Sequence, residues 1–332
     1  MYSALQQGKI DVIKRVVNPK GVSFLRGTGN IMKNYPLKAT YIDDLSYQMP
    51  AINWSNKQWL KEFDFMQEVG IDTIILTKGW FSGRCIYPSK VFSTLKKDDE
   101  DFLELILSEA ESRKMKVFIG GYMTSNAWNT IGVEEEIEKN KIFADEVVAR
   151  YGHFKSFVGW HIPHEVCSEG NISALLNGLG KLYKEKTPDK LVMYSPQFRS
   201  TFTSYSDYSP ERTVRAWDII LKDCAKFIDI CAFQDGTVAL PKYDEYIKSA
   251  KTICDKHDIR LWACVETFDR DVRKMYFPHN FELLRERIEI AEKYVENCVT
   301  NEFSRFLSPQ SIFESAKNLN AMYKDYFGHR GE

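Results

Sequence analysis

Short runs of consecutive apolar residues alternate along this chain with longer stretches in which apolar residues recur every three or four positions. The first run, LKATYI at 37–42, is followed by a stretch that Ser55 and Gln58 open with the spacing of a helix capping box. The apolar positions of that stretch share one face of a helix: Trp59, Phe63, Met66 and Val69. Gly70, a residue typical of helix ends, closes it. The pattern therefore predicts a strand followed by an amphipathic helix.

The same unit of a strand and a helix occurs eight times. The predicted strands are the apolar runs at 37–42, 71–77, 115–123, 157–165, 191–198, 229–235, 260–268 and 297–303, and the last helix is expected over 311–326. Strands that alternate with helices indicate a parallel sheet. Eight units in about 300 residues favour a closed (β/α)8 TIM barrel, an α/β fold. The run at 297–303 has the weakest apolar pattern of the eight.

An open, doubly wound sheet is the alternative arrangement of such units. That fold usually carries a glycine-rich phosphate turn after its first strand, and the segment here, YIDDLSYQMP, is not one. No shift in composition resembles a linker. We therefore expect one barrel domain over 37–332 that carries the catalytic site, with residues 1–36 as an N-terminal extension packed on the barrel.

Charge and composition narrow the classes of function. The 332 residues include 45 basic and 46 acidic side chains, and a net charge near zero argues against nucleic acid or an acidic membrane surface as the main partner. Aromatic residues make up 14% of the chain, which is typical either of a well-filled core or of a groove with flat aromatic walls for a carbohydrate.

The cysteines and the N-terminus bear on the compartment. Seven scattered cysteines without a CxxC motif, several of them in apolar runs, indicate buried thiols rather than a disulfide framework. The first residues lack the apolar core of a signal peptide, and no run approaches the roughly 20 residues of a membrane span. The expected location is cytoplasmic, with no membrane partner.

Polar residues at the carboxyl ends of the strands are the candidates for chemistry, because active sites of such barrels lie there. In strand order they are Asp43 and Asp44; Lys78 and Trp80; Tyr122, Asn126 and Trp128; His161, His164 and Glu165; Tyr194, Gln197 and Arg199; Gln234 and Asp235; and Glu266 and Asp269.

Glu165 and Glu266 are the most informative of these residues. They follow the fourth and seventh strands, which lie across the barrel mouth from each other, so both carboxyl groups are expected to face one cavity. A pair about 5–5.5 Å apart suits retaining glycoside hydrolysis, and a separation of roughly 6.5–9.5 Å suits inversion. The alternative is that either glutamate pairs structurally with an arginine or lysine.

The stretch GWHIPHE at 159–165 also contains two histidines, which raises the alternative of a metal site. Residues three apart on a strand point to opposite faces, so His161 and His164 are not expected to converge on one ion. We expect His164 to donate a hydrogen bond beside Glu165 and His161 to be buried or to line the site. No metal and no cofactor are predicted.

Several residues near the two glutamates are candidates for substrate contact. Trp80, Trp128 and Trp160 suit sugar stacking, with core or rim packing as the alternative. Asp235 could orient a hydroxyl group, tune a neighbouring carboxylate or cap the next helix. The predicted substrate-binding set is Asp43, Trp80, Tyr122, Trp128, His164, Tyr194, Gln197, Gln234 and Asp235.

The chain also resembles a known family. The stretches INWSNKQWLKEFDFMQEVGIDTIIL, IYPSK, MKVFIGGYM, FVGWHIPHE, AFQDG and WACVETF are similar to the glycoside-hydrolase-like TIM barrels called domain of unknown function 4434, over roughly 37–310. That family resembles a large clan of retaining glycosidases, which implies Glu165 as acid/base and Glu266 as nucleophile. The clan usually has asparagine before the acid/base, where this chain has His164. Members of the family are often exported.

The sequence thus predicts a retaining glycoside hydrolase whose partner is a carbohydrate substrate. Two alternatives from other classes stay open at this point. One is a carbohydrate-binding barrel without catalysis that uses the same groove. The other is a metal-dependent barrel hydrolase.

Overall fold

A computed structural model describes residues 35–46, 50–92, 101–124, 132–165, 171–198, 209–236, 238–271 and 275–330. Eight parallel strands form a closed barrel: β1 Leu37–Ile42, β2 Thr73–Leu76, β3 Lys116–Gly120, β4 Phe157–Ile162, β5 Leu191–Tyr194, β6 Ile230–Gln234, β7 Arg260–Val265 and β8 Asn297–Thr300. Each strand pairs with its neighbours in sequence, and β8 closes the ring against β1 through Thr40 and Thr300. The predicted TIM barrel is confirmed, including its eighth strand.

Helices cover the outside of the barrel. In chain order they are α1 Asn56–Glu68, α2 Phe102–Ser112, α3 Val133–Tyr151, α4 Ile172–Lys186, α5 Pro210–Cys224, α6 Leu240–Lys256, α7 Phe281–Ala291, α8 Phe303–Phe306 and α9 Glu314–Gly328. The capping box of α1 is present, and the Ser55 amide donates to Gln58 Oε1 over 3.0 Å. Short 3-10 helices occur at Pro50–Asn53 and Ala225–Phe227.

Two separate apolar layers hold this arrangement together. The inside of the barrel is filled by side chains from strands all around the ring, among them Tyr41, Phe118, Met193 and Trp262. A larger layer lies between the strands and the surrounding helices. Because barrel strands are buried on both faces, their sequences are nearly continuous apolar runs.

Trp160 belongs to this outer layer. Its ring stacks on Tyr183 at 4.7 Å, and its indole N–H donates to Thr187 Oγ1 over 2.9 Å. Of the two interpretations of this tryptophan, the structure supports the packing role.

Glu62 is an ionisable group buried outside the barrel mouth. Its Oε2 accepts hydrogen bonds from Ser308 Oγ at 2.7 Å and Gln310 Nε2 at 2.8 Å, which joins α1 to the segment after α8. Burial raises the pKa of Glu62 to about 7, although both hydrogen bonds lower it.

Two small sheets lie beyond the barrel strands. Trp80–Phe81 pairs with Arg84–Cys85 and with Tyr122–Met123, and Phe268–Arg270 pairs with Tyr276–Pro278 in a hairpin after β7. Of these short strands, Tyr122–Met123 and the first residue of Phe268–Arg270 fall within predicted strands, and the others were not predicted. The expected extension at 1–36 lies outside the described residues up to position 34. No helix in the described ranges is long and apolar enough to cross a membrane.

Candidate active site

A cavity of about 230 Å³ opens at the carboxyl ends of the strands. Its walls come from seven of the eight strand ends: Asp43 and Ser46; Thr77 and Lys78; Glu165; Gln197; Gln234; Glu266, Phe268, Arg270 and Tyr276; and Asn301, Glu302, Arg305 and Phe306. A second cavity, of about 750 Å³, adjoins the first and shares Glu266, Phe268 and Arg270 with it. The two cavities therefore meet at Glu266.

Glu165 and Glu266 reach the first cavity from different strands. Glu266 directly follows β7, and Glu165 lies three residues after β4, with β5 and β6 between the two strands in the ring. Withdrawal from bulk water raises the pKa of Glu165, and Asp43 raises it further, against the charge of Lys78. Burial and then the charge of Asp235 raise the pKa of Glu266 to about 8.

A buried ion pair supports Glu266 from below. Asp235 Oδ1 accepts the Glu266 amide N–H over 2.9 Å, and Asp235 Oδ2 pairs with the Arg287 guanidinium at 3.1 Å. Arg287 also donates to the Val238 carbonyl over 2.7 Å. Asp235 thereby fixes the backbone of Glu266 while its charge favours the neutral form of that carboxyl group. Of the three roles considered for Asp235, the contacts match the tuning of a neighbouring carboxylate.

Gly236 leaves room for the Glu266 side chain. A Cβ atom at position 236 would lie 1.9 Å from Glu266 Cδ and 1.9–2.0 Å from the two carboxyl oxygens. Any other residue at position 236 would therefore displace the carboxyl group.

On the opposite wall, Lys78 and Asp43 form an ion pair at 2.7 Å. Asp43 also accepts hydrogen bonds from the Leu45 and Ser46 amides, both over 2.9 Å, and from the Ser46 hydroxyl over 2.6 Å. Burial alone would raise the pKa of Asp43, but Lys78 and these hydrogen bonds hold it below its usual value. Asp43 is therefore the firmly ionised carboxylate of the cavity.

The two histidines of GWHIPHE diverge, as predicted. His161 lies within the barrel mouth, with Nδ1 3.1 Å from the Thr77 carbonyl and Nε2 3.2 Å from Ser195 Oγ. Burial lowers the pKa of His161 to about 4, so its ring is neutral near pH 7. His164 lies toward the helices, fully buried, with Nε2 2.8 Å from Glu136 Oε1 on α3. Among the described residues, no three His, Cys, Asp or Glu side chains gather in a way that could hold a metal ion.

The model of a protein family, described as domain of unknown function (DUF4434), matches residues 37–313. This chain belongs to that family. A crystal structure of a protein described as a "putative alpha-L-fucosidase" from Bacteroides thetaiotaomicron is similar to this DUF4434 barrel, with 31% identity, a TM-score of 0.82, and coverage of 89% of this chain and 96% of that one. No curated protein matches this chain significantly.

More distant structures share the fold of the DUF4434 barrel. An endo-1,4-beta-D-mannanase from Thermotoga petrophila matches with a TM-score of 0.57 at 11% identity, over 87% of this chain and 99% of that one. A beta-galactosidase from Marinomonas matches with a TM-score of 0.55 at 12% identity, over 87% of this chain and 59% of that one. These likenesses establish a barrel architecture that glycoside hydrolases also use.

The predicted substrate-binding residues separate into three groups in the DUF4434 barrel. Asp43, Gln197 and Gln234 line the first cavity together with both glutamates. Another group does not line that cavity: His164, Tyr194 and Asp235 are buried beneath it, and half-buried Trp80 stacks on Tyr122 at 4.2 Å. Trp128 lies outside the described residues, as do Asn126 and Arg199.

Other cavity residues were missed by the sequence analysis. Arg270 and Tyr276 come from the hairpin after β7, and Glu302 and Arg305 follow β8. The sequence carried a weaker signal for Glu302, because this residue follows Val299 of NCVTNEF by three positions, whereas Glu266 directly follows Val265 in WACVETF.

Proposed function

We propose that this protein is a retaining glycoside hydrolase in which Glu165 is the acid/base and Glu266 the nucleophile. The observation that carries the proposal is that two carboxyl groups, from the ends of β4 and β7, line one cavity at the barrel mouth. Two carboxyl groups on either side of a scissile bond are the usual equipment for glycosidic cleavage.

In the first step, Glu266 attacks the anomeric carbon while Glu165 gives its proton to the leaving oxygen. The carbon–oxygen bond breaks and a glycosyl ester of Glu266 forms. In the second step, Glu165 takes a proton from water, which attacks the same carbon and releases the sugar. Arg270 and Arg287 both lower the pKa of Glu266 and so favour the ionised form that the attack requires.

This mechanism requires particular protonation states of Glu165 and Glu266 in the free site. The pKa values of Glu165 and Glu266 are both raised, and the charge of Glu165 raises that of Glu266. Interacting groups of this kind titrate as a pair. The productive state is the one with a single proton, held by Glu165.

The relatives support a carbohydrate substrate. The structure with 31% identity is described as a "putative alpha-L-fucosidase", and the mannanase and beta-galactosidase share the fold. We therefore propose glycosides as the substrate class, with α-L-fucosides as the first to test.

The experiment is a hydrolysis assay with p-nitrophenyl glycosides of α-L-fucose, β-D-galactose, β-D-mannose and β-D-xylose. Glu266→Ala should abolish turnover, and azide should restore it by replacing the missing nucleophile. The matched control is Glu138→Ala, which removes a glutamate with an exposed side chain on α3. Unimpaired hydrolysis by Glu266→Ala would refute the assignment, and binding without hydrolysis by the unaltered protein would indicate a carbohydrate-binding barrel instead.

A further inference from the structure

Glu302 is an acidic side chain that the proposed reaction leaves unused. It follows β8 by two residues, lines the first cavity and is only 7% exposed. Its Oε2 is buried and has no hydrogen-bond partner among the described residues. Buried carboxyl oxygens are nearly always satisfied, so an unsatisfied one at a cavity wall points to a ligand.

The backbone of Glu302 is also unusual. Its φ of 48° and ψ of 71° lie in the left-handed region, which glycine and asparagine adopt far more readily than glutamate. Glu302 precedes the short helix α8, but its side chain makes no capping hydrogen bond there. No local structural role in this segment explains why a glutamate occupies the position, and strain of this kind tends to occur at functional sites.

Glu302 interacts electrostatically with the Asp43–Lys78 ion pair and with Arg305. Burial first, and then the negative charge of Asp43, raise the pKa of Glu302 to about 8, while Arg305 and Lys78 lower it. The charge of Glu165 also raises the pKa of Glu302, so the two carboxyl groups interact electrostatically. Near pH 7 the Glu302 carboxyl group is mainly protonated and can both donate and accept a hydrogen bond.

We propose that Glu302 is a substrate-binding residue whose carboxyl group forms a hydrogen bond with one hydroxyl group of the sugar ring held between Glu165 and Glu266. The sugar hydroxyl then supplies the partner that Oε2 lacks. This inference rests on the proposed function for the identity of the ligand. It adds that the cavity wall at the ends of β1, β2 and β8 determines which sugar hydroxyl groups the site accepts.

The first test is thermal stability, which does not depend on catalysis. Glu302→Asn places a residue that tolerates the left-handed backbone and removes the unsatisfied buried carboxyl group. Its Tm should rise by about 2 °C or more. A residue kept for folding would show the opposite sign, so a lower Tm for Glu302→Asn would overturn the proposal.

The second test uses the p-nitrophenyl glycoside that the unaltered protein hydrolyses fastest, together with its single-deoxy derivatives at each ring hydroxyl. Removal of one particular hydroxyl should reduce kcat/KM by about 10–100-fold in the unaltered protein and hardly at all in Glu302→Asn. Glu302→Gln, which keeps the length and a donor, should retain most of the activity. Equal losses for every deoxy substrate in both proteins would overturn the proposal.

The third test separates this inference from the proposed function. If the protein hydrolyses no glycoside, calorimetric titration with L-fucose, D-galactose, D-mannose and D-xylose replaces the kinetics. A sugar that binds the unaltered protein should bind Glu302→Asn about 10-fold more weakly or worse. In that case the hydrolase assignment fails while the role of Glu302 stands. Equal affinity in the variant, or no sugar binding to either protein, would overturn it.

Discussion

Replacement of Gly236 by alanine should disable the site without unfolding the barrel. The added Cβ would lie 1.9 Å from Glu266 Cδ, whereas ordinary contact begins near 3.4 Å, so the carboxyl group has to retreat by about 1.5 Å. Displacement of a reacting group by about 1 Å can cost roughly 100-fold in rate. We therefore expect kcat/KM for the best p-nitrophenyl glycoside to fall by about 100-fold or more.

Stability should be nearly unchanged in Gly236→Ala, because the group that has to move is the end of a flexible side chain at a cavity wall. The backbone of Gly236 is also outside the left-handed region, so alanine introduces no strain there. Gly132→Ala is the matched comparison, and it should lower stability without lowering activity. Its φ is +99° and its Cβ would contact only Glu134 Oε2 at 3.6 Å, so it should lose about 1 kcal/mol of stability and keep its activity.

The assay pairs initial rates with thermal unfolding for both glycine variants. Unchanged kcat/KM in Gly236→Ala would refute the reasoning, and so would a crystal structure of the variant in which the Glu266 carboxyl group has not moved. A large drop in Tm for Gly236→Ala would refute its second half, because the loss of activity would then reflect damage to the fold.

Two further predictions follow from buried carboxyl groups. Burial and then the charge of Asp235 raise the pKa of Glu266 to about 8, and in the coupled Glu165–Glu266 pair this higher pKa governs the loss of the last proton that activity requires. Asp235→Asn should therefore move the alkaline limb of kcat/KM against pH about one pH unit lower, and an unmoved limb would contradict this. Glu62 has a pKa of about 7 in the folded protein and near 4.5 when unfolded, so its contribution to stability is complete below pH 4.5 and is lost as the pH rises through 7. In urea unfolding, Glu62→Gln should match the unaltered protein near pH 4.5 and exceed it by up to about 3 kcal/mol at pH 8, and an equal difference at both pH values would contradict this.

The fold was predictable because the same strand and helix unit repeats along the chain and each element has a recognisable spacing of apolar residues. Each of the eight predicted runs contains a barrel strand, and the capping box at Ser55 was also predicted correctly. Strands of a closed parallel barrel are buried on both faces, and helices outside it are buried on one, so each leaves its own period in the sequence. The small sheets were missed because strands of two or three residues are too short to show a period.

The site was predictable only as far as the strands extend. The sequence placed Glu165 and Glu266 at strand ends, and both line the cavity. Beyond the last paired residue the alternation of faces stops, and loop geometry decides where each side chain points. For that reason His164 binds Glu136 on the helix side while the next residue, Glu165, enters the cavity. Glu302 was missed because Thr300 and Asn301 separate it from the apolar run, and its left-handed backbone could not be anticipated at a glutamate.

The charge of the cavity is not what its sequence suggests. Four acidic residues line it among the described parts of the chain: Asp43, Glu165, Glu266 and Glu302. Lys78 neutralises Asp43, whereas burial raises the pKa values of the other three, two of them to about 8. Near pH 7 the Glu302 carboxyl group is therefore mainly protonated, and the productive state of the Glu165–Glu266 pair also holds one proton, so this wall can donate as well as accept hydrogen bonds. Such a wall suits a neutral, polyhydroxylated ligand better than a cation, because sugar hydroxyls also donate and accept, whereas a cation requires ionised oxygens.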